Sequence, residues 1–260
     1  MALKRVFDSA AGIVMGRRWP AAGPAERPPP FPGEAPALGS GFRQLDRATG
    51  IKGLPVGRMT ELAGAGFRGP ASIAAAVAAR LQRRQLPVTI IDMAGSFEPL
   101  YAVRCGLVAP QLLRHVPANV LRMLNLMEQA ARQQGLVIIN LGIVPLTLGG
   151  AAPARLASLL NRCRKICAAS EAVFLYLTTA QTADPFSRAN YPPGFPLSEA
   201  ADIRLWVQDE GWIMHRGQVN GYKGSVTVIK NRLAAGGRGA NMRIPFVEPG
   251  MARLAEELGF

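Results

Sequence analysis

Apolar positions along this chain switch between two spacings, and the switching predicts its architecture. Arg58-Met-Thr-Glu-Leu-Ala63 reads as a strand that runs into a glycine-rich turn. From residue 72 to 85 the spacing becomes helical, with Ile73, Val77 and Leu81 on one face and Pro70 where a first helical turn tolerates it. Pro87-Val-Thr-Ile-Ile-Asp92 is then a short, continuously apolar strand of the kind covered on both faces. Helices over residues 99–105 and 118–134, a strand over 135–140, a helix over 154–169 and a strand over 172–177 continue the succession. Leu156, Leu159, Leu160, Cys163 and Cys167 share the buried face of the 154–169 helix, so both thiols are assigned to packing. Strands alternating with helices predict an α/β chain: a doubly wound, mostly parallel sheet with right-handed crossovers. In the last third, residues 201–208, 211–216, 225–230 and 242–247 read as strands joined by turns, one of them at Asn220-Gly221. They predict an antiparallel extension at one edge of the sheet.

The first residues follow a different rule. Residues 1–19 place Leu3, Val6, Phe7, Ala10 and Val14 roughly on one side of an amphipathic segment. Residues 20–38 are rich in Pro, Ala and Gly and read as an extended linker, which leaves 39–260 for one core domain. A chain of 260 residues, 49% of them hydrophobic, has the material for one large domain of this class. No apolar run approaches the roughly 18 residues needed to cross a bilayer. Basic residues, then Asp8 and a short apolar patch, make a poor signal peptide. Cys105, Cys163 and Cys167 show no pairing pattern and fit a reducing compartment, so a cytoplasmic protein with no membrane partner is expected.

Charge narrows the class of partner. Thirty Lys+Arg against seventeen Asp+Glu give +13, an excess that favours a polyanion through phosphate contacts and counterion release. An Arg-preferring composition accounts for Arg over Lys but not for the shortage of acids. His115 and His215 are isolated and have no partners for metal or nucleophilic chemistry.

The turn after the first long strand, Thr60-Glu-Leu-Ala-Gly-Ala-Gly-Phe-Arg-Gly-Pro-Ala-Ser72, has the outline of a phosphate-binding loop with Gly64 and Gly69 at its ends. A working loop of this kind needs a Lys for the β/γ-phosphates and a hydroxyl for Mg²⁺ directly after the second glycine. Those positions hold Pro70 and Ala71. Thus the frame is present without its chemistry.

Three blocks in order carry a resemblance. Leu45-Asp46-Arg-Ala-Thr-Gly-Ile-Lys-Gly53-Leu54-Pro55-Val-Gly57-Arg58, Ile91-Asp92-Met-Ala-Gly-Ser-Phe-Glu98-Pro99-Leu-Tyr101-Ala102 and Val226-Thr-Val-Ile-Lys230-Asn231-Arg232-Leu-Ala-Ala235 resemble the core domain of RecA-family recombinases. The likeness runs from roughly residue 40 to 250 and implies a RecA-like P-loop fold, with no room for the family's small C-terminal domain. The resemblance puts the phosphate-binding Lys and Mg²⁺-binding Thr at Pro70 and Ala71, the water-activating Glu at Ala94, the Walker B Asp at Asn140, and the γ-phosphate-sensing Gln at Thr178 or Thr179. All five polar groups differ. The resemblance therefore implies a pseudo-ATPase with degenerate Walker A and B motifs, no catalytic residue, no metal and no cofactor.

Other positions keep the family's residue types. Gly64, Gly69, Glu98 and Tyr101 match a nucleotide site that is vestigial, at which weak ATP or ADP binding stays open; Tyr101 equally suits simple packing. Lys230 and Arg232 match cations that reach a neighbouring subunit's nucleotide, or else are solvated charges. In the family, single-stranded DNA lies on two loops. Here these correspond to residues 146–153, with Gly149 and Gly150, and 179–196, with Phe186, Arg188, Tyr191 and Phe195. The second loop also reads as a Pro-stiffened segment whose aromatics cover the sheet edge. The implied function is a DNA recombination and repair accessory that binds single-stranded DNA or modulates filaments of the host RecA recombinase. The alternative is a scaffold for an error-prone translesion polymerase in the SOS response.

Overall fold

A computed structural model describes residues 35–148, 150–234 and 239–247. The predicted N-terminal segment and most of the linker lie outside the described residues, as does Gly149. At the end of the linker range, β1 (Ala37–Leu38) pairs antiparallel with β2 (Leu54–Pro55). Between them lies the short helix α1 (Arg43–Ala48).

The expected α/β core follows. It comprises β3 (Met59–Gly64), α2 (Arg68–Arg83), β4 (Val88–Asp92), α3 (Pro99–Arg104), β5 (Leu112–His115), α4 (Val120–Ala130), β6 (Leu136–Gly142), α5 (Val144–Leu148), α6 (Pro153–Ala168) and β7 (Val173–Thr179). Then come α7 (Leu197–Ala200), β8 (Ile203–His215), β9 (Gln218–Asn231) and β10 (Gly239–Pro245). Eight strands form one sheet in the order β10-β9-β8-β3-β7-β6-β4-β5, parallel from β8 to β5 and antiparallel from β8 to β10. This is a RecA-like P-loop fold: a doubly wound, mostly parallel sheet with an antiparallel C-terminal extension.

The apolar runs are explained by two cores, one on each face. Leu136 and Ile138 of β6, with Val173, Leu175 and Leu177 of β7, face the core under α2. Their alternates Val137, Ile139, Leu141, Phe174 and Tyr176 face the core under α4 and α6. Strand side chains alternate between faces, so a strand covered twice has no polar phase. Helix α2 is buried along residues 69–79 and at Leu81 and Gln82. Its Ala-rich face allows close approach to β3, β7 and β8.

Two sequence expectations are corrected in the antiparallel part. Where two strands were expected over 201–208 and 211–216, Ile203–His215 forms one strand, β8, because Gly211 (φ +93°) sits in a bulge between Asp209 and Trp212. The hairpin turn is Arg216-Gly217, both left-handed (φ 49° and 78°), which suits a tight two-residue connection. Asn220-Gly221 is strand interior: Gly221 pairs with Pro245, and a Cβ there would lie 2.5 Å from the Ile244 carbonyl oxygen. Edge strand β5 and helices α1, α5 and α7 were not expected. Each is six residues or fewer and too short to establish a period.

Candidate functional site

Ligands of open α/β sheets bind beyond the carboxyl ends of the strands, so the turn after β3 is the first place to look. Only Ala65, Gly66 and Phe67 separate β3 from α2, and Phe67 already has helical backbone angles. A Cβ on Gly64 would lie 2.9 Å from the Val207 carbonyl oxygen and 3.2 Å from the Pro70 ring. One on Gly69 would lie 2.8 Å from Val207 Cγ1 and 3.0 Å from the Tyr222 hydroxyl. Both glycines therefore serve close packing of strand, helix and neighbouring strands. Pro70 and Ala71 are buried, and the Ser72 hydroxyl donates to the Arg68 carbonyl at 2.6 Å. The first turn of α2 carries Arg68 and no acid, which suits an anion in charge but supplies neither the Lys lever nor the Mg²⁺ hydroxyl.

Beside this turn lies a cavity of about 330 Å³ lined by Phe67, Arg68, Ala71, Phe97, Glu98, Tyr101 and Trp212, among others. The structure thus brings Glu98 and Tyr101 to one cleft, with Glu98 exposed. Tyr101 is also a packing residue. Its ring meets Phe246 at 5.6 Å and Trp212 at 6.5 Å in edge-to-face geometry, and its hydroxyl is 2.5 Å from Ser72 Oγ. Burial pushes that hydroxyl up to about 12, so it stays a neutral donor. The Arg68 guanidinium lies 4.5 Å over the Trp212 ring and 3.6 Å from Asp209. Tyr222 packs against Trp212, and its hydroxyl is buried without a hydrogen-bond partner. Trp212, Tyr222 and Phe246 carried no signal in the sequence, because only the pairing of β8, β9 and β10 brings them to α3. Chemically, the cleft suits a flat apolar group with one cation nearby.

The expected metal and water-activating positions lie in or beside a buried hydrogen-bond network. Asp92, fully buried, accepts from the Ser96 and Phe97 amides at 3.2 and 3.1 Å and from Arg114 at 2.5 Å. Asn140 Nδ2 completes the set, 2.7 Å from Asp92 Oδ1 and 3.1 Å from Ser96 Oγ. A carboxylate at 140 would instead meet Asp92 as a like charge. The Ala94 methyl stands against Gly142, where a Cβ would lie 2.8 Å away. Among the described residues, no group of three or more His, Cys, Asp and Glu is placed to hold a metal. His115 is half-buried, and burial, then Arg122, lowers its pKa.

The loop after β7 is built differently. Glu61, fully buried on β3, accepts from Thr178 Oγ1 at 2.9 Å, the Tyr191 hydroxyl at 2.5 Å and Arg204 Nε at 2.6 Å. Arg204 also donates to the Tyr191 hydroxyl and the Pro185 carbonyl, each at 2.9 Å. Buried Asn190 accepts from the Gln181 and Thr182 amides and donates to the Asp184 carbonyl. Of the four side chains expected to meet DNA, Phe195 is 1% exposed in the core and Tyr191 is half-buried on Glu61. Neither offers a free face for stacking, because the sheet end draws both inward. Phe186, 67% exposed, and Arg188 remain outward. In the first loop Gly150 is open, with nothing near a Cβ there, and α5 presents Leu146 at 75% exposure, a residue the sequence did not single out. Gly194 (φ +86°) has no room for a side chain against the Pro153 carbonyl, so the two loops touch.

Lys230 and Arg232 lie together at the end of β9 and are engaged internally. Lys230 Nζ donates to the Ser198 and Glu199 carbonyls at 2.9 and 2.7 Å, and Arg232 to the Glu199 carbonyl at 2.7 Å. Burial, then Arg232 and Arg204, pushes the Lys230 ammonium down to about 8.

Comparison with known proteins agrees with this fold. A family model described as the RecA N-terminal domain matches residues 34–147. The chain is 29% identical to Protein RecA of Thermus thermophilus over 224 residues, covering 80% of this chain and 66% of that protein. It is 26% identical to Protein RecA of Aquifex pyrophilus, covering 86% and 68%, and 26% identical to that of Mesomycoplasma hyopneumoniae, covering 99% and 79%. The chain thus spans about two thirds of the length of the Thermus and Aquifex relatives. Together with the sheet order, the turn after β3 and the three sequence blocks, these matches support a RecA-family core.

Proposed function

We propose that this protein is a RecA-like accessory of DNA recombination and repair that does not hydrolyse ATP. It acts in the cytoplasm and contacts single-stranded DNA, filaments of the host recombinase, or both. One observation carries the reading. At the positions where the resemblance requires groups for phosphate, metal, water and γ-phosphate, the side chains are apolar (Pro70, Ala71, Ala94) or turned to internal bonds (Asn140, Thr178). Loss of both the phosphate lever and the metal ligands leaves no way to stabilise the transferring phosphoryl group. The aromatic cleft is compatible with weak nucleotide binding but supplies no cofactor chemistry.

The DNA reading rests on net charge and on the outward Phe186 and Arg188. Phe186→Ala is expected to weaken oligonucleotide binding by roughly 1–3 kcal/mol, the range of one stacked base, and Arg188→Ala to flatten its salt dependence. Lys230 and Arg232 are the candidates for acting on a neighbour's nucleotide, once released from Glu199. The decisive assay is ATP turnover by the purified chain, by its Pro70→Lys/Ala71→Thr variant, and by the recombinase with the chain added. No turnover is expected from either form of the chain, and a change is expected in the recombinase. Turnover by the unaltered chain would refute the reading.

A second reading is favoured by Leu100, Trp212 and Met214, which are exposed on or next to the elements that wall the cleft. Such apolar surface suits a protein partner, for which a translesion polymerase is the candidate. Binding to the polymerase without binding to oligonucleotide would select it. No described helix is long and apolar enough to cross a membrane, and neither reading involves one.

A further inference from the structure

We infer that the loop at residues 180–196 is latched in one conformation by Glu61, Arg204 and Tyr191, and that nucleotide in the cleft does not change it. The inference deepens the single-stranded DNA reading above and rests on it for its functional consequence. Glu61 and Arg204 are register partners on adjacent strands β3 and β8, and both are buried. The pair joins two interior strands of the sheet, and the loop is fastened to it twice, at the Pro185 carbonyl and the Tyr191 hydroxyl. Asn190 closes the segment between on itself. Charge-assisted bonds in a buried site are among the strongest a loop can make, and releasing one end leaves a buried charge uncompensated.

The latch also occupies the route by which the cleft would reach the loop. Glu61 lies on the strand that ends in the Gly64 turn, three residues before it. Thr178, at the end of the strand that leads into the loop, donates its hydroxyl to the same carboxylate. A ligand at the turn therefore meets a latch whose four side chains already bond one another, with no buried unpaired group left among Glu61, Thr178, Tyr191 and Arg204 to rearrange. Any DNA surface presented by Phe186 and Arg188 is then permanently formed.

Hydrogen exchange on the full chain tests the latch without requiring DNA. Amides of residues 181–191 are expected to be protected in the free protein and unchanged by MgATP. Tyr191→Phe removes the hydroxyl's bonds to two charged groups, Glu61 and Arg204, without changing shape, and is expected to speed exchange there by about tenfold or more. Thr178→Val is expected to speed it less, since the Arg204 contacts remain. Unprotected amides in the free protein, or slowing on addition of MgATP, would overturn the inference. Oligonucleotide binding with and without MgATP is measured alongside. Equal affinity supports the inference, and nucleotide-dependent affinity overturns it. If the oligonucleotide does not bind at all, the DNA reading fails while the exchange data still decide the latch.

Discussion

The turn after β3 and the loop after β7 leave neighbouring strands at the same end of the sheet, yet different forces hold them. The turn is fixed by close apolar packing: Gly64 and Gly69 are pressed against Val207, Tyr222 and Pro70, and no side chain caps the helix start. The loop is fixed by a buried ion pair and the hydroxyl and carbonyl groups gathered around it. Packing of the first kind fills space without regard to a ligand, so it holds the glycine outline of the turn whatever residues follow the second glycine. Polar fixation of the second kind is close to all-or-none, because each member depends on the others for its desolvation.

The largest effect should come from unbalancing the loop's ion pair. Glu61→Ala leaves Arg204 charged and buried, and is expected to cost about 3–5 kcal/mol in denaturant unfolding. Glu61→Leu/Arg204→Met, which removes both charges, should recover much of that loss. Equal losses from the single and the double variant would mean that the pair is not what fixes the loop.

The turn answers to size instead of charge. Gly64→Ala pushes a methyl toward a backbone oxygen that cannot easily move, and should cost about 1–3 kcal/mol. Gly69→Ala meets the ends of two side chains and should cost less. Gly66, in the same turn, has nothing within 4 Å of a Cβ, so Gly66→Ala should be neutral or stabilising by roughly 0.4–1 kcal/mol. Thermal unfolding of the three variants sorts packing glycines from a free one. Equal effects at all three would remove the distinction drawn between turn and loop.

Much of the fold was legible because the core strands are covered on both faces and the helices between them are long enough to show a period. What escaped was set by distance along the chain. β5 pairs only with β4, and its four residues include Arg114 and His115, so it shows no apolar run. Gly211 and Gly221 look alike as sequence, but one is a bulge and the other a close strand contact. The same limit applies at the site. Phe186, Tyr191 and Phe195 are equivalent aromatics in a Pro-rich segment until Glu61, 130 residues away, draws Tyr191 in. The turn's departure from the phosphate-loop pattern was readable from Pro70 and Ala71 alone. The aromatic cluster at the cleft beside the turn was not, since Tyr101, Trp212, Tyr222 and Phe246 come from α3, β8, β9 and the residue after β10.

The last effect is a pH dependence at the border of the loop's network. Lys230 is the cross-strand partner of Arg204 and shares the Glu199 carbonyl with Arg232, so its ammonium is crowded by two cations as well as partly buried. Its folded value of about 8 lies below the unfolded value of 10.5. Between those two limits the unfolded chain holds the proton and the folded chain has released it, so stability contributed by this group rises with pH. Below pH 8 both states are protonated, and the penalty of the charged form is felt in full. Measured against Lys230→Met, the unaltered protein should therefore gain stability from pH 8 toward 10.5 and show a flat difference below that window. A difference that stayed flat throughout would place the Lys230 ammonium in solvent, free to leave Glu199 and reach a neighbouring subunit. A rising one marks it as part of the same buried border that fixes the loop.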